Sequence, residues 1–351
     1  MIQKIKFQQF TAFKDLEIRF SPGINIFIGP NATGKTHILK AVYAACDISK
    51  SQKSLAEKMY RVFLPSREHL GRLVKRAAGS TQGSVKIYRY LVETETTIHI
   101  GLTLSNHTKS ADKATQHGNL ASWREHPLES VYIPVKDMMA NAPKFRSLYN
   151  YREIHFEEVY ADIIDRAFLG PLRGAPDAAR KGLLEILQRS MEGKVISKNE
   201  EFFLKNKQGE LEFTLVAEGL RKLALLWLLI QNGVLFRGSI LCWDEPEANL
   251  NPSLMETVVE ILVALQKMGV QIFLATHDYI VLKWFDLKTE NDNNILYHSL
   301  YKNKEDGEIA LYSTNRYSDI SPNSIDEAFA KIVDMEIQRA MRKVNINENR
   351  G

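Results

Sequence analysis

The 351-residue sequence has little of several features that would narrow its class at once. It has two cysteines, Cys46 and Cys242, which lie far apart in apolar stretches and indicate neither a disulfide framework nor a metal site. Its longest apolar run, residues 223–230, is far shorter than the roughly 20 residues that a membrane-spanning helix needs. No signal peptide opens it. We therefore expect a soluble, cytoplasmic protein that does not insert into a membrane.

A strong charge excess and a long coiled coil are absent as well. The formal net charge is +4, too small by itself to indicate a nucleic-acid-binding protein. No heptad pattern is sustained and no internal repeat is found. One local cluster of basic residues either contacts a nucleic-acid backbone or is a solvated surface. It contains Arg61, Arg67, Arg72, Lys75 and Arg76.

A glycine-rich stretch is the most informative feature that is present. It fits G-x-x-x-x-G-K-[ST] and lies between an apolar strand, residues 23–28, and a predicted helix, residues 36–60. In such a loop, backbone N–H groups and the helix N-terminus bind phosphate oxygens. The lysine reaches the β- and γ-phosphates and the following hydroxyl binds Mg²⁺. The predicted ligands of ATP and Mg²⁺ are Gly29, Pro30, Asn31, Ala32, Thr33, Gly34, Lys35 and Thr36.

Two later strands end in residues suited to hydrolysis. The apolar strand 239–243 is followed by Asp244, placed to bind the Mg²⁺ shell, and by Glu245, placed to polarise the attacking water. The next strand, 270–275, precedes His277, which is placed to sense the γ-phosphate. The competing interpretation is two ordinary acids in a turn and a surface histidine. The order of these elements after a P-loop favours the catalytic interpretation.

A buried helix predicted over residues 218–231 offers a second anion site at its N-terminus, with Gly219 in the first turn. The helix after Gly34 already serves one set of phosphates. We therefore infer that the second site caps a nucleotide held by another protomer. Its candidate nucleotide contacts are Glu218, Gly219, Arg221 and Lys222.

The rest of the chain is described by local patterns. Residues 1–29 are predicted to be strands, residues 84–105 a β-hairpin or meander, and residues 106–122 a surface loop. Residues 195–216 are predicted to form a hairpin. A capping box, Ser324 with Glu327, is predicted to open the last helix.

These motifs together resemble those of ABC-type ATPases of the branch that includes RecF, SMC and the OLD-type and Septu-type defence ATPases. Residues 29–36 correspond to Walker A, 217–222 to the signature, Asp244 and Glu245 to Walker B, 247–252 to the D-loop, and His277 to the switch histidine. The resemblance implies an α/β P-loop fold with a mixed central sheet, an antiparallel β-subdomain and an inserted helical lobe. It also implies a head-to-tail homodimer with two ATPs between the protomers.

The same resemblance divides the chain into four parts. Residues 1–134 form the N-terminal part of the ATPase lobe, and residues 135–216 form the inserted helical lobe with its hairpin. Residues 217–320 complete the ATPase lobe with the signature, Walker B, D-loop and switch histidine. Residues 321–351 are a C-terminal helix and tail.

The sequence departs from the family pattern in three ways. Ala217 stands where the signature usually has serine, so one γ-phosphate hydrogen bond is missing. No Q-loop glutamine is evident, and Lys136 or Asp137 is the candidate replacement. No Toprim-like acid cluster follows, so we expect no nuclease of its own.

Four functions remain open at this point. The leading one is an ATPase that regulates a separate effector, a nuclease or toxin, in bacterial anti-phage defence. The second is a RecF-like DNA-repair ATPase that binds DNA in an ATP-dependent way. The third, which the signature disfavours, is the nucleotide-binding subunit of a transporter. The fourth treats ATP as a structural ligand with hydrolysis nearly lost.

Overall fold

The computed structural model describes residues 1–152, 154–289 and 294–348, with the side chains of the last helix described as far as Met341. The first part of the chain contains β1 (Ile2–Phe10), β2 (Phe13–Arg19), β3 (Ile24–Ile28), α1 (Lys35–Asp47), α2 (Leu55–Phe63), β4 (Gln82–Leu91), β5 (Thr96–Ser105), β6 (Thr115–Gly118), α3 (Leu120–Glu125) and β7 (Ser130–Ile133). The middle part contains α4 (Phe145–Arg152), α5 (Glu158–Ala167), α6 (Ala178–Ser190), β8 (Lys194–Lys198), β9 (Glu201–Asn206) and β10 (Gly209–Glu212). The last part contains α7 (Glu218–Gln231), β11 (Ile240–Asp244), α8 (Met255–Lys267), β12 (Gln271–Ala275), α9 (Tyr279–Lys288), β13 (Ile295–Lys302), β14 (Ile309–Thr314) and α10 (Ser324–Glu348).

The central sheet is mixed, as predicted. Its strand order is β14-β13-β3-β12-β11-β7, and all neighbours are parallel except β14, which pairs antiparallel with β13. Every residue of β3, β11 and β12 is buried, as expected for parallel strands covered on both faces. Because these three strands are parallel neighbours, their carboxyl ends meet at one edge of the sheet.

Two hydrophobic cores lie on opposite faces of this sheet. Leu241 and Trp243 point into the core shared with α5 to α8, whereas Ile240 and Cys242 point into the core shared with α1 and α2. This alternation is the period-two geometry of a strand. Cys46 and Cys242 are both buried and unpaired.

The predicted antiparallel β-subdomain is present as a five-stranded sheet in the order β2-β1-β4-β5-β6. Its strands alternate buried and exposed side chains, and Phe7 and Phe13 pack their rings 4.8 Å apart beneath it. One face therefore covers the core that also holds α1. The sheet consequently lies next to the phosphate-binding loop.

Three local predictions were wrong in detail. Residues 106–122 contain β6 and the start of α3, whose Trp123 is buried and donates from Nε1 to the Ala45 carbonyl at 2.9 Å. The predicted helix over residues 36–60 is two helices, because Ser54 opens α2 with a capping box of its own. Residues 194–212 form three strands, not one hairpin. Each difference depends on contacts with distant residues or on a local cap that interrupts the helical pattern.

The start of the last helix also differs from the prediction. Asn323, and not Ser324, precedes the helix, and its Oδ1 accepts hydrogen bonds from the N–H groups of Ile325 and Asp326 at 3.3 Å. Ser324 is the first helical residue. Beyond its first turns α10 leaves apolar side chains exposed: Phe329, Ile332, Val333, Met335, Ile337 and Met341.

A buried ionic cluster fastens α5, from the predicted inserted lobe, to α1 and α2. Lys58 of α2 is 1% exposed, and its Nζ lies 2.7 Å from Asp47 Oδ2, 2.9 Å from Glu158 Oε1 and 2.7 Å from Asp162 Oδ2. Arg166 adds a second contact to Asp47 at 3.0 Å. The helix that follows the phosphate-binding loop is thus held against the lobe. Among the described residues, no helix has both the length and the apolarity needed to cross a bilayer.

Candidate nucleotide site at the edge of the central sheet

The glycine loop between β3 and α1 has a backbone that only glycine tolerates at two positions. Gly29 has φ +135°, and a Cβ there would lie 2.0 Å from the Leu300 carbonyl oxygen. Gly34 has φ +90°, and a Cβ there would lie 2.5 Å from the Phe13 ring. Both positions therefore exclude larger residues. The loop can approach a phosphate closely because the sheet and Phe13 fix its shape.

Lys35 is buried and folds back over this loop. Its Nζ donates to the carbonyl of Gly29 at 2.7 Å and to that of Pro30 at 3.1 Å. Burial lowers its pKa, while Glu245 and Asp244 act in the opposite direction. The ammonium group is thus positioned inside the loop, where phosphate oxygens would meet it.

Asp244 at the end of β11 lies against the start of α1. The Thr36 side chain lies beside its carboxylate, and Tyr132 donates its hydroxyl to Oδ2 at 3.1 Å. Burial raises the pKa of Asp244, and Thr36 and Tyr132 oppose that rise. A hydroxyl beside a carboxylate offers the hard oxygen ligands that Mg²⁺ prefers, so this pair fits the ion.

Glu245 and His277 meet at the same edge. Glu245 has φ +50° and donates its N–H to the Ala275 carbonyl at 2.9 Å, and its carboxylate is partly exposed. His277 Nδ1 lies 3.4 Å from Glu245 Oε1. The structure therefore brings together Lys35, Thr36, Asp244, Glu245 and His277 as the sequence pattern requires.

Glu247 is a member of this site whose importance the sequence did not reveal. Its Oε1 accepts from the Thr276 hydroxyl at 2.8 Å and from the His277 N–H at 3.1 Å. Its Oε2 is buried and has no hydrogen-bond partner among the described residues. Burial raises the pKa of Glu247. Tyr132 was missed as well, because no local signal shows that β7 lies beside β11.

The start of α7 is joined to the D-loop of the same chain. Gly219 is buried, and a Cβ there would meet the Asn249 carbonyl at 3.0 Å. Asn249 Nδ2 in turn donates to Glu218 Oε1 at 3.0 Å. Glu218 is partly exposed and Ala217 is exposed, so surface remains at this helix end for another molecule.

The two basic residues of the signature bind their own chain. Arg221 donates from Nε to Asp137 Oδ2 at 2.5 Å and from a terminal nitrogen to the Val216 carbonyl at 2.6 Å. Lys222 is buried and donates to the Ala248 carbonyl. Both side chains hold the loops around α7 in place, and their contact with nucleotide stays a prediction. Asp137 is likewise engaged by Arg221, whereas Lys136 is exposed.

The basic cluster divides into paired and unpaired residues. Arg61 lies 3.5 Å from Glu158, and Lys75 lies 2.7 Å from Glu308. Arg67, Arg72 and Arg76 are exposed and have no ionic partner within the described ranges. Only these three are available to an external anion.

The fold and the groups at its carboxyl edge define a P-loop ATPase of the ABC type. The chain belongs to the family described as "AAA domain, putative AbiEii toxin, Type IV TA system", whose model matches residues 24–283. This confirms the predicted ATPase class and fold.

Two curated relatives are DNA replication and repair proteins RecF. The protein of Streptococcus thermophilus is 32% identical over 108 residues, which is 28% of this chain and 29% of that protein. The protein of Streptococcus pneumoniae is 29% identical over 119 residues, 34% of this chain and 30% of that protein. The chain thus matches about three tenths of the length of these relatives.

Solved SMC head domains share the fold. An SMC head bound to the C-winged helix domain of ScpA aligns with TM-score 0.58 and 16% identity, over 89% of this chain and 97% of that one. An SMC head with an extended coiled coil, bound to the C-terminal domain of ScpA derived from Pyrococcus furiosus, gives TM-score 0.53 and 13% identity. It covers 95% of this chain and 99% of that one.

Proposed function

We propose that this protein binds ATP with Mg²⁺ and hydrolyses it to ADP and phosphate. The observation that supports this most strongly is the meeting of Lys35, Thr36, Asp244, Glu245 and His277 at one sheet edge. The groups come from three parallel strands, because Lys35 and Thr36 follow β3, Asp244 and Glu245 lie at the end of β11, and His277 follows β12. Ligands bind at this edge in open α/β sheets generally.

The residues of the site have separate roles in binding and hydrolysis. The loop N–H groups and Lys35 bind the phosphates, and Thr36 with Asp244 holds Mg²⁺, which when bound neutralises charge on the β- and γ-phosphates. Glu245 orients the attacking water and accepts its proton. His277, close to Glu245 and with its backbone fixed by Glu247, contacts the γ-phosphate.

The rate of phosphate release from ATP tests this proposal directly. We expect Glu245→Gln to lower the rate by about 100-fold or more, because general-base catalysis contributes factors of that order. ATP binding should be retained. Glu305→Gln, in the exposed turn between β13 and β14, is the matched control and should leave the rate unchanged. Equal rates for Glu245→Gln and wild type would remove the enzymatic proposal and leave ATP as a structural ligand.

We further propose that the protein dimerises around ATP and controls a separate effector, a nuclease or toxin, in bacterial anti-phage defence. The family description, which names a putative toxin and a type IV TA system, supports such a setting. Co-purification of an effector whose activity changes between wild type and Lys35→Ala would test it. Effector activity that is the same with wild type and with Lys35→Ala would contradict it.

A RecF-like role in DNA repair is the second candidate. The RecF relatives and the exposed Arg67, Arg72 and Arg76 favour it. We expect DNA binding that strengthens with ATP and weakens steeply with salt. Arg72→Glu with Arg76→Glu should abolish it, whereas Lys113→Glu, an exposed residue outside the cluster, should not. If the double variant still bound DNA, this surface would be excluded as the DNA-binding site.

A further inference from the structure

An apolar groove of about 580 Å³ lies at the edge of the central sheet opposite the candidate nucleotide site. Its walls come from the loop before α6, the first turn of α6, the segment between α7 and β11, and the C-terminal end of α8. Because α7 and α8 end where β11 and β12 begin, this is the amino edge of the sheet. Asp244, Glu245 and His277 lie at the carboxyl edge.

Large apolar side chains line the groove and remain accessible. Leu172 is 47% exposed and Phe236 is 45% exposed. Leu172 is held in place, because its N–H donates to the Gln231 carbonyl at 3.3 Å and its side chain covers Gly233. Accessible apolar side chains gathered in one depression are typical of interaction sites, whereas single exposed ones are not.

The charged groups of the groove are predominantly basic. Arg180 and Arg237 line it and have no ionic partner in the part of the chain that the structure describes, and Arg180 Nε is buried without a hydrogen bond there. Asp177 also lines the groove, but its Oδ1 accepts the Arg180 backbone N–H at 2.8 Å and caps α6. A carboxylate is the group that complements two arginines beside apolar walls.

Helix α7 connects this groove to the candidate nucleotide site. Its 14 residues span about 21 Å, from Gly219 against the D-loop to Gln231 beside the groove. Residues 222–230 are all buried, so the helix is packed along most of its length and a displacement of one end should displace the other. A partner in the groove thus contacts the helix whose other end carries the signature.

We propose that this groove is the docking site of the effector, which inserts a segment carrying a carboxylate beside large apolar side chains. The carboxylate pairs with Arg180 and Arg237, and the apolar side chains cover Leu172 and Phe236. The proposal rests on the proposed function, because it names the surface through which that effector is controlled. Docking at the amino edge leaves the carboxyl edge free for ATP and a second protomer.

Fluorescence anisotropy with two labelled helical peptides tests the chemistry of the groove. One peptide carries leucine and glutamate on the same face, and the other carries lysine in place of glutamate. We expect wild type to bind the glutamate peptide, and Arg180→Glu with Arg237→Glu to raise its Kd about 100-fold, because two charge-assisted hydrogen bonds are lost. The lysine peptide should bind the double variant and not wild type, a reversal that a merely structural role of the arginines would not produce.

Further variants separate docking from the other properties of the protein. Phe236→Ser should raise the Kd of the glutamate peptide about tenfold, because it removes an apolar anchor. Arg189→Glu, exposed at the other end of α6, is the control and should leave that Kd unchanged. Thermal unfolding verifies that each variant is folded, and all should release phosphate at the wild-type rate. The effector that co-purifies with wild type should be lost from the double variant.

Three outcomes would overturn the assignment. Wild type could bind both peptides alike, or the double variant could retain the effector. A peptide of residues 324–341, from α10, could bind the groove more tightly than the glutamate peptide, which would make the groove an interface between copies of this chain. If no effector responds to Lys35→Ala, the proposed function fails, whereas the exchange of charge between peptide and groove would still show a docking site for an acidic partner.

Discussion

At the scale of single residues, Ala217 stands where the resemblance described above would place a signature serine. It is exposed, precedes the first residue of α7 and makes no side-chain cap. A serine there would accept a hydrogen bond from the helix and offer a hydroxyl to a facing γ-phosphate. Replacing Ala217 with serine therefore tests two separate properties of this position, its effect on helix stability and its participation in hydrolysis.

We expect Ala217→Ser to raise the free energy of unfolding by about 1 kcal/mol, the usual value of an N-cap, and to raise the rate of phosphate release. Urea unfolding and a phosphate assay measure the two effects. Ala328→Ser, exposed inside α10, is the control and should lower stability slightly, by about 0.5 kcal/mol. A stability gain without faster release would show that this helix end takes no part in hydrolysis.

At the scale of elements, the buried cluster around Lys58 decides how α1 and α2 sit against α5. Burial alone lowers the pKa of Lys58, but attraction to Asp162, Asp47 and Glu158 outweighs it and raises the pKa above the ordinary value. A raised lysine pKa stabilises the fold at every pH below the ordinary lysine value, and this contribution is lost as pH rises through the folded value. The contribution is therefore complete throughout the neutral range.

We expect Lys58→Met to destabilise the protein by about 3–5 kcal/mol near pH 8, because it leaves buried carboxylates without their partner. In wild type, burial raises the pKa of Asp47 and Glu158, but contacts that include Lys58 outweigh it and lower both. Without Lys58, burial should raise the pKa values of these carboxylates. They should then be partly protonated in acid, and protonation reduces the cost of leaving them without a partner. The loss should thus be smaller at pH 5 than at pH 8.

Urea unfolding at the two pH values measures this difference. Lys181→Met removes an exposed pair with Glu185 and should change stability by less than about 0.5 kcal/mol at either pH. If Lys58→Met lowered the free energy of unfolding equally at both pH values, the loss would not come from unpaired buried carboxylates.

At the scale of the whole molecule, Ala217 and Glu218 keep accessible surface at the start of α7, while the D-loop covers Gly219. Glu218 contacts Asn249, and Arg221 and Lys222 fasten the neighbouring loops. A second protomer that brings its phosphate-binding loop to this surface would complete the site. Association should then depend on a bound triphosphate.

Mass measurement in solution tests this expectation. Glu245→Gln with ATP should be a dimer, and Lys35→Ala should remain a monomer with or without ATP. Ala217→Glu should bind ATP but fail to dimerise, because its carboxylate would face the partner's phosphates. Dimerisation of Ala217→Glu with ATP would place the interface elsewhere.

The sequence by itself determined the parts whose physics is local. A glycine loop between a strand and a helix, an apolar strand ending in Asp244 and Glu245, and a strand followed by His277 each predict a role from neighbouring residues alone. Gly233 and Gly269, which follow α7 and α8, have φ +67° and +94°, as helix C-terminal residues often do. These features need only the backbone preferences of a short segment.

The tertiary structure alone decided which distant groups meet. Strand order placed Tyr132 against Asp244, and side-chain packing turned Arg221 and Lys222 inward. The ionic cluster around Lys58 likewise joins segments that no periodicity relates. Such contacts follow from burial and hydrogen bonding across the whole fold, because residues far apart in sequence compete for the same partners.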